Sequence, residues 1–395
     1  MSDGFALIKK EIKRIAPEAA RLNHLLFENP ELNYKEEFAA ELLTSSLGKQ
    51  GFGIRRGRGK LRTAFEAVWR GGKSKPTVAL LMEYDALPKM GHACGHNMIA
   101  AGTFGAAVAL KNALGKKCGT LKVIGTPAEE GGGGKLLMIR SGWFRGVDAG
   151  IMAHPSNKNR AVARMLAVME IDFHYYGKAS HAAAYPDKGV NALDAVIALF
   201  NSVNAMRQQT PDFSRVHGII TKGGDAPNII PEYASAKFMV RALAMPEFSV
   251  MLNKVAECAK GAARATGCRL KIVKNPLAYE PFEPNRALGV ICSKYMKMAG
   301  LEESSANETD GMGSSDIGNL SQVIPAIHLE YAVGGENVVN HSREFLKAVV
   351  SKKGEEAMMK AAVVVAATVA ELFTNPAALK NVKKEFQALK KKNRS

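Results

Sequence analysis

The chain is short of aromatics, cysteines and acids. Aromatic residues make up 7% of its 395 residues, and only two are tryptophan. The five cysteines are Cys94, Cys118, Cys258, Cys268 and Cys292. Their number is odd and no CxxC pair occurs, so they frame no disulfide scaffold, and a chain of this length can build its own core without one. No uninterrupted apolar run reaches the ~18–20 residues of a membrane span. The opening stretch, MSDGFALIKKEIKRIAPEAA, mixes acids and bases and lacks the basic-then-apolar pattern of a signal peptide. A cytoplasmic protein without a membrane partner is the expectation. No internal repeat of 20–50 residues is present, which argues against a solenoid or propeller.

Acids number 37 against 54 Lys and Arg, for a net charge of +17. The excess gathers at RRGRGKLR (55–62) and in the tail KNVKKEFQALKKKNRS (380–395). Neither cluster is interleaved with the several aromatics that stacking on single strands needs. They read as a solvated loop and a solvated helical tail, and no nucleic-acid partner is expected.

What is present is an ordinary globular composition, 47% hydrophobic and 23% charged. The length suits two domains, or one large domain carrying an insertion. Apolar spacing predicts helices over 5–28 and 34–50, broken at NPEL. Strands follow at 62–70 and 77–84, a small-residue helix at 97–114, a strand at 120–126, a short helix at 134–143 and a strand at 148–154. This alternation predicts a mixed α/β sheet covered by helices. Near residue 165 the pattern changes to β-α-β-β-α-β over about 115 residues, a ferredoxin-like unit. The expected organisation is a first domain in two parts, 1–165 and 281–395, with 166–280 inserted.

Ligands of α/β sheets sit beyond the carboxyl ends of strands. Three motifs fall there: EYDALP leading into GHACGH (91–96), TPAEEGGGG after the strand at 120–126, and AHPS after the strand at 148–154. NVVNHSREF (337–345) lies far downstream. In an extended turn Cys94 and His96 can reach the same side, and a thiolate with an imidazole suits a borderline-soft ion such as zinc. His92 fits a supporting place. Adjacent Glu129 and Glu130 repel one another, and a two-metal site uses one carboxylate as ligand and one to take a proton from water. The stretch EEGGGGKL is not a phosphate loop, because Ala128 stands where its first glycine belongs and Leu136 where Ser or Thr belongs. His24, His174, His217 and His328 fall in helix or strand patterns and read as structural.

In order, EYDALP, GHACGH, PAEE, MAHP, GKASHAA, GGDAPNIIPE and NHSREF resemble the two-metal amidohydrolases of metallopeptidase family twenty. The cysteine resembles the branch of the auxin-conjugate amidohydrolases, p-aminobenzoyl-glutamate hydrolase and the β-alanyl-lysine or Xaa-Arg type dipeptidases. The likeness covers nearly the whole chain. It implies a mixed-sheet, dinuclear-metal α/β hydrolase domain with an inserted ferredoxin-like α+β lid or dimerisation domain, and a homodimer formed through that insertion. It implies two divalent ions, Zn2+ or Mn2+, held by Cys94, His96, Glu130, His154 and His341. Glu129 would be the general base and Asp85 would orient the site. His181 would stabilise the oxyanion, and Asn228 and Arg241 would hold the substrate. The implied reaction is hydrolysis of a small N-acyl amino acid or dipeptide, with a p-aminobenzoyl-glutamate-type substrate as the alternative. A catalytically inactive metabolite-binding relative would lack a ligand or the base, and none is missing. One departure stands out: much of the branch has Asp after CGH and often a further His, where this chain has Asn97 and Ile99. The position holds one fewer negative charge, which bears on the affinity of the second metal position.

Overall fold

The computed structural model describes residues 2–72, 76–117, 119–305 and 312–392. Cys118 and the last three residues of the basic tail lie outside the described residues. The chain divides into two compact units. The first comprises Met1–Arg164, Glu283–Gly311 and Ser315–Ser395, the second Met165–Phe282 with Met312–Ser314.

The first unit opens with helices α1 (Ser2–Glu28) and α2 (Glu37–Lys49). Helix α2 starts three residues later than its apolar spacing suggests. Tyr34 is left-handed at φ 61° and turns the chain out of helix before Glu37. Strands β1 (Gly53–Arg56), β2 (Phe65–Arg70) and β3 (Thr77–Met82) follow. Then come α3 (His96–Leu114), β4 (Thr120–Gly125), α4 (Gly134–Arg140) and β5 (Ala149–Ser156). Every residue of TVALLM in β3 is buried, as a central strand covered on both faces requires.

The basic stretch at 55–62 is not simply a solvated loop. Its first two residues lie in β1, which pairs antiparallel with β2 at the edge of the sheet. Arg55 lies 4.2 Å over the Trp143 ring, and Arg56 pairs with Glu41 at 2.9 Å. Charge on an edge strand discourages pairing with a further chain.

The second unit holds β6 (Ala167–Tyr176), α5 (Ala192–Met206), β7 (Arg215–Lys222), β8 (Tyr233–Ala242), α6 (Met245–Thr266) and β9 (Arg269–Lys274). Its antiparallel sheet runs β7-β8-β6-β9. Alternate residues Ile171, Phe173 and Tyr175 of β6 are buried with Phe238 of β8, Leu199 of α5 and Val255 of α6, forming a core separate from that of the first unit.

The chain returns to the first unit with α7 (Arg286–Ala299), α8 (Ile317–Ser321), β10 (Ala326–Ala332), α9 (Arg343–Ala348), α10 (Lys352–Thr374) and α11 (Pro376–Lys392). The sheet order is β1-β2-β4-β3-β5-β10, with β4, β3, β5 and β10 mutually parallel. Helices α3 and α10 are long and apolar enough to cross a membrane by length and composition. Both are mostly buried within the unit, where α3 packs on α1 and α10. Small residues along α3 permit that close approach: Gly102 leaves room for Met358, and Gly105 for Ile15 and Ala19.

Candidate metal centre

Three parallel strands end side by side, and the chemistry follows their ends. Glu83 and Asp85 come directly after β3, Glu129 and Glu130 shortly after β4, and His154 lies within the last turn of pairing of β5 with β10. Cys94 and His96 sit where a turn feeds α3. The Gly95 N–H donates to the His92 carbonyl at 3.0 Å, and Gly95 itself is left-handed at φ 86°. A Cβ at Gly95 would lie 2.4 Å from Pro155 Cγ, so this joint takes glycine alone. His341 is held at φ 65° with its N–H on the Ala93 carbonyl at 2.8 Å. Asn340 Nδ2 ties the same loop to the carbonyls of Pro155 (3.2 Å) and Cys94 (3.4 Å).

Three sets of potential donors result, each within 4.8 Å: Cys94 with His96 and His154, Cys94 with Glu130 and His341, and His96 with Glu129 and Glu130. The five residues that the resemblance implies as ligands thus meet, with Glu129 among them. The buried His96 and the partly buried His154 are both oriented by acceptors. His96 Nδ1 lies 2.9 Å from the Asp85 carbonyl and 3.0 Å from its carboxylate Oδ1. His154 Nδ1 lies 2.7 Å from the Pro155 carbonyl. Each Nδ1 must therefore carry a proton, which turns Nε2 inward. His154 Nε2 is 3.7 Å from Cys94 Sγ, and His96 Nε2 is 3.4 Å from Glu83 Oε2 and 3.9 Å from Glu129 Oε2. Among the described residues His96 Nε2 and Glu83 Oε2 are buried without a hydrogen-bond partner, and Glu130 Oε1 lies 3.5 Å from His341 Nε2. Unpaired acceptors this close to one another fit a divalent cation between them. Sulfur, imidazole and carboxylate together are donors that suit a divalent metal ion.

Without an ion, the bare side chains hold protons that a cation would displace. Burial pushes the Cys94 thiol far above its ordinary range. Burial also raises Glu129, and the carboxylates of Glu83 and Glu130 raise it further. Burial opposes a charged His96, but the neighbouring Cys94 and Asp85 raise it on balance, so that its Nε2 would give up a proton to a metal. Burial takes His154 down to about 4, leaving it neutral.

Several important residues were not singled out from the sequence. Lys135 is fully buried, with Nζ 2.5 Å from both Glu83 Oε1 and Asp316 Oδ1, while its backbone N–H donates to Asp316 Oδ2 at 2.8 Å. It sits in the stretch that fails as a phosphate loop, and its signal was a lone lysine at the start of an apolar helix. Asn97 takes no part in any of the donor sets. Its Nδ2 donates to Asn23 Oδ1 of α1 at 2.9 Å, and Asn23 Nδ2 donates in turn to the Val349 carbonyl at 2.9 Å. The departure at this position is a strut between helices. His92 is buried and likewise outside the donor sets. His328, read as structural, has its ring 5.2 Å from that of His154.

His181, Asn228 and Arg241 belong to the second unit. His181 is exposed, and its Nδ1 accepts from the N–H groups of Ala183 (3.3 Å) and Ala184 (3.2 Å). That fixes the tautomer with the proton on Nε2. The Asn228 carbonyl accepts from Ala182 N at 3.0 Å, which joins the two loops. Arg241 is half-buried. Its Nη1 donates to Ser314 Oγ at 3.2 Å, and its Nε has no partner.

Two outcomes are expected. Uptake of a divalent ion by Cys94 and His96 displaces protons, so affinity falls as pH is lowered, by about tenfold per unit for each proton released. Calorimetry in buffers of different ionisation enthalpy reads that number, and pH-independent binding would contradict the assignment. Lys135→Met strands Glu83 and Asp316 as buried anions and costs about 3–5 kcal/mol of stability. Urea unfolding measures it, and a loss below about 1 kcal/mol would show that the triad is not a true ion pair.

Peptidase family M20/M25/M40 matches residues 79–371. The chain is 39% identical to the Xaa-Arg dipeptidase of Mus musculus, over 96% of this chain and 92% of that protein. It is 35% identical to the Xaa-Arg dipeptidase of Homo sapiens, over 95% of this chain and 90% of that protein. Among solved structures, a dinuclear metal binding peptidase of Bacillus subtilis superposes with a TM-score of 0.71 at 19% identity, covering 91% of this chain and 99% of that one. Taken with the metal-binding geometry, these likenesses make the chain a member of peptidase family M20/M25/M40, a metal-dependent amidohydrolase and dipeptidase.

Proposed function

We propose that the chain cleaves dipeptides with a C-terminal basic residue, using two divalent ions. The observation that carries this reading is the convergence of Cys94, His96, His154, Glu130 and His341 in two donor sets that share Cys94, with Glu129 beside them. The likeness to Xaa-Arg dipeptidases supports the substrate class.

Cys94, His96 and His154 would hold one ion, and Cys94, Glu130 and His341 the other. Bound there, such ions polarise the scissile carbonyl and bring the pKa of water down from ~15.7 toward ~7. Glu129 takes the proton of the attacking water and delivers it to the leaving amine. A buried carboxyl with a raised pKa suits both transfers. Asp85 keeps His96 in the tautomer that presents Nε2. His181 offers its Nε2–H to the developing oxyanion. Arg241 presents a guanidinium fork for the substrate carboxylate, and Asn228 an amide for the reacting carbonyl.

We also assign the second unit as a lid and dimerisation domain. Strand β7 is an edge of its sheet, with Ile219 62% and Ile220 46% exposed, and an apolar edge of this kind pairs readily with a second copy. Sedimentation should give a dimer that Ile219→Lys dissociates, and a monomeric wild type would refute it. The free thiols of Cys94, Cys258, Cys268 and Cys292 suit a reducing compartment, in keeping with a cytoplasmic enzyme.

The central test compares wild type with Glu129→Gln on Xaa-Arg and Xaa-Lys dipeptides, acyl amino acids and p-aminobenzoyl-glutamate. Expected are about two metals per chain in both proteins and a ~10²–10⁴-fold lower kcat in the variant. Faster turnover of p-aminobenzoyl-glutamate than of any dipeptide would replace the substrate assignment. Full activity of Glu129→Gln would remove Glu129 from its role.

A further inference from the structure

The segment joining α1 to α2 reads in sequence as a break. In the structure it grips the loop that carries Glu129 and Glu130. Asn33 Nδ2 donates to the Glu130 carbonyl at 2.5 Å, and Tyr34 Oη to the Gly132 carbonyl at 2.5 Å. Glu36 Oε1 accepts from Ala128 N and from Tyr34 N, each at 2.9 Å, and Glu36 Oε2 accepts from Thr63 Oγ1 at 2.8 Å. Glu36 is completely buried.

Glu36 precedes α2 but does not cap it. The first free N–H groups of that helix, at Phe38 and Ala39, go to the Glu31 carboxylate at 3.0 and 2.9 Å. The Glu36 carboxylate is thereby left for a different task. Its Oε1 receives the N–H groups of two non-glycine residues in the left-handed region, Tyr34 at φ 61° and Ala128 at φ 57°. Such a conformation persists only where surrounding contacts enforce it. Ala128 is the residue at which the chain turns from β4 into the two glutamates. On the opposite side the Glu130 N–H is taken by Asp85 Oδ2 at 3.0 Å.

We propose that Asn33, Tyr34 and Glu36 form a clasp that sets the Ala128–Gly132 backbone, and that Glu36 is a positioning residue acting through Ala128 on Glu129 and Glu130. The inference rests on the reading of these two glutamates as base and metal ligand. The clasp holds the loop in shape before any ion arrives, so that binding spends no energy in turning Ala128.

The test titrates wild type and variants with Co2+ and follows the thiolate-to-cobalt and d–d absorption bands, in parallel with kcat and KM on a dipeptide. Glu36→Ala should weaken cobalt binding and lower kcat by about 10–100-fold while KM stays nearly constant. Glu36→Gln keeps an acceptor for Ala128 and should remain within about threefold of wild type. Adding Ala128→Gly to Glu36→Ala should recover most of the loss, because glycine takes a positive φ without strain. Where Glu36→Ala does not fold, Tyr34→Phe takes its place, with a loss of a few-fold in cobalt affinity expected. Unchanged cobalt affinity and kcat in Glu36→Ala, or in Tyr34→Phe when that variant carries the test, overturns the clasp. So does a loss in Glu36→Ala that glycine at 128 fails to relieve, since that is the mark of general destabilisation. The cobalt arm is independent of substrate: turnover failing in wild type with cobalt bound refutes the dipeptide reading alone, and wild type that takes up no cobalt refutes both.

Discussion

The centre depends on the repulsion among acceptors buried together. Glu83, Glu129, Glu130 and the inward nitrogen of His96 lie close together, with Cys94 and His154 beside them, and Glu83, Glu129 and His96 are buried. Burial of one unpaired charge in such a place costs several kcal/mol, and a group of them is tolerable only with positive charge among them. Lys135 supplies part of that charge between Glu83 and Asp316. In the bare side chains, protons held on Cys94, Glu129 and His96 relieve the remainder. The strands, turns and struts nearby can be understood as what holds these groups in place against that repulsion.

The supports form a hierarchy. The parallel strands β3, β4 and β5 bring the chain segments to one edge. Left-handed residues then aim several of the side chains: Gly95 between Cys94 and His96, Ala128 before Glu129, and His341 itself on the loop after β10. Two of these three are not glycine, and each has its backbone N–H secured elsewhere, on Glu36 for Ala128 and on the Ala93 carbonyl for His341. Asp85 links two segments directly, since one carboxylate orients His96 and holds the Glu130 N–H. The first-unit centre is therefore stiff, whereas His181 and Asn228 lie on exposed loops of a unit with its own core.

What could be read from the sequence divides along the same line. Cys94 and His96 stand in one short motif whose residue types suggest a metal by themselves, whereas Glu130, His154 and His341 enter as ligands only through the resemblance. The mixed sheet and the β-α-β-β-α-β unit were legible because apolar period and turn residues are local. Lys135 was not, because its partners Glu83 and Asp316 lie far from it in sequence, and a lysine beside four glycines looks like a surface residue. Glu36 was hidden inside an apparent helix start, and β1 inside a cluster of arginines. In each case the deciding contact is long-range and electrostatic, and no periodicity records it.

Asn97 shows how charge and packing together choose a residue. An aspartate here would lie fully buried against the Asn23 side-chain oxygen and add one more anion beside a centre already crowded with them. It could not donate to that oxygen. Asparagine can, and Asn23 passes the link on to the Val349 carbonyl, just before α10. The same residue that spares the centre a charge fastens α3, which begins with His96, to the helices packed over it. Under the proposed assignment a second metal would draw its negative charge from Cys94 and Glu130 alone. That makes the Glu130 backbone, gripped by Asn33 on one side and by Asp85 on the other, the place where the charge of the centre and the rigidity of the fold meet.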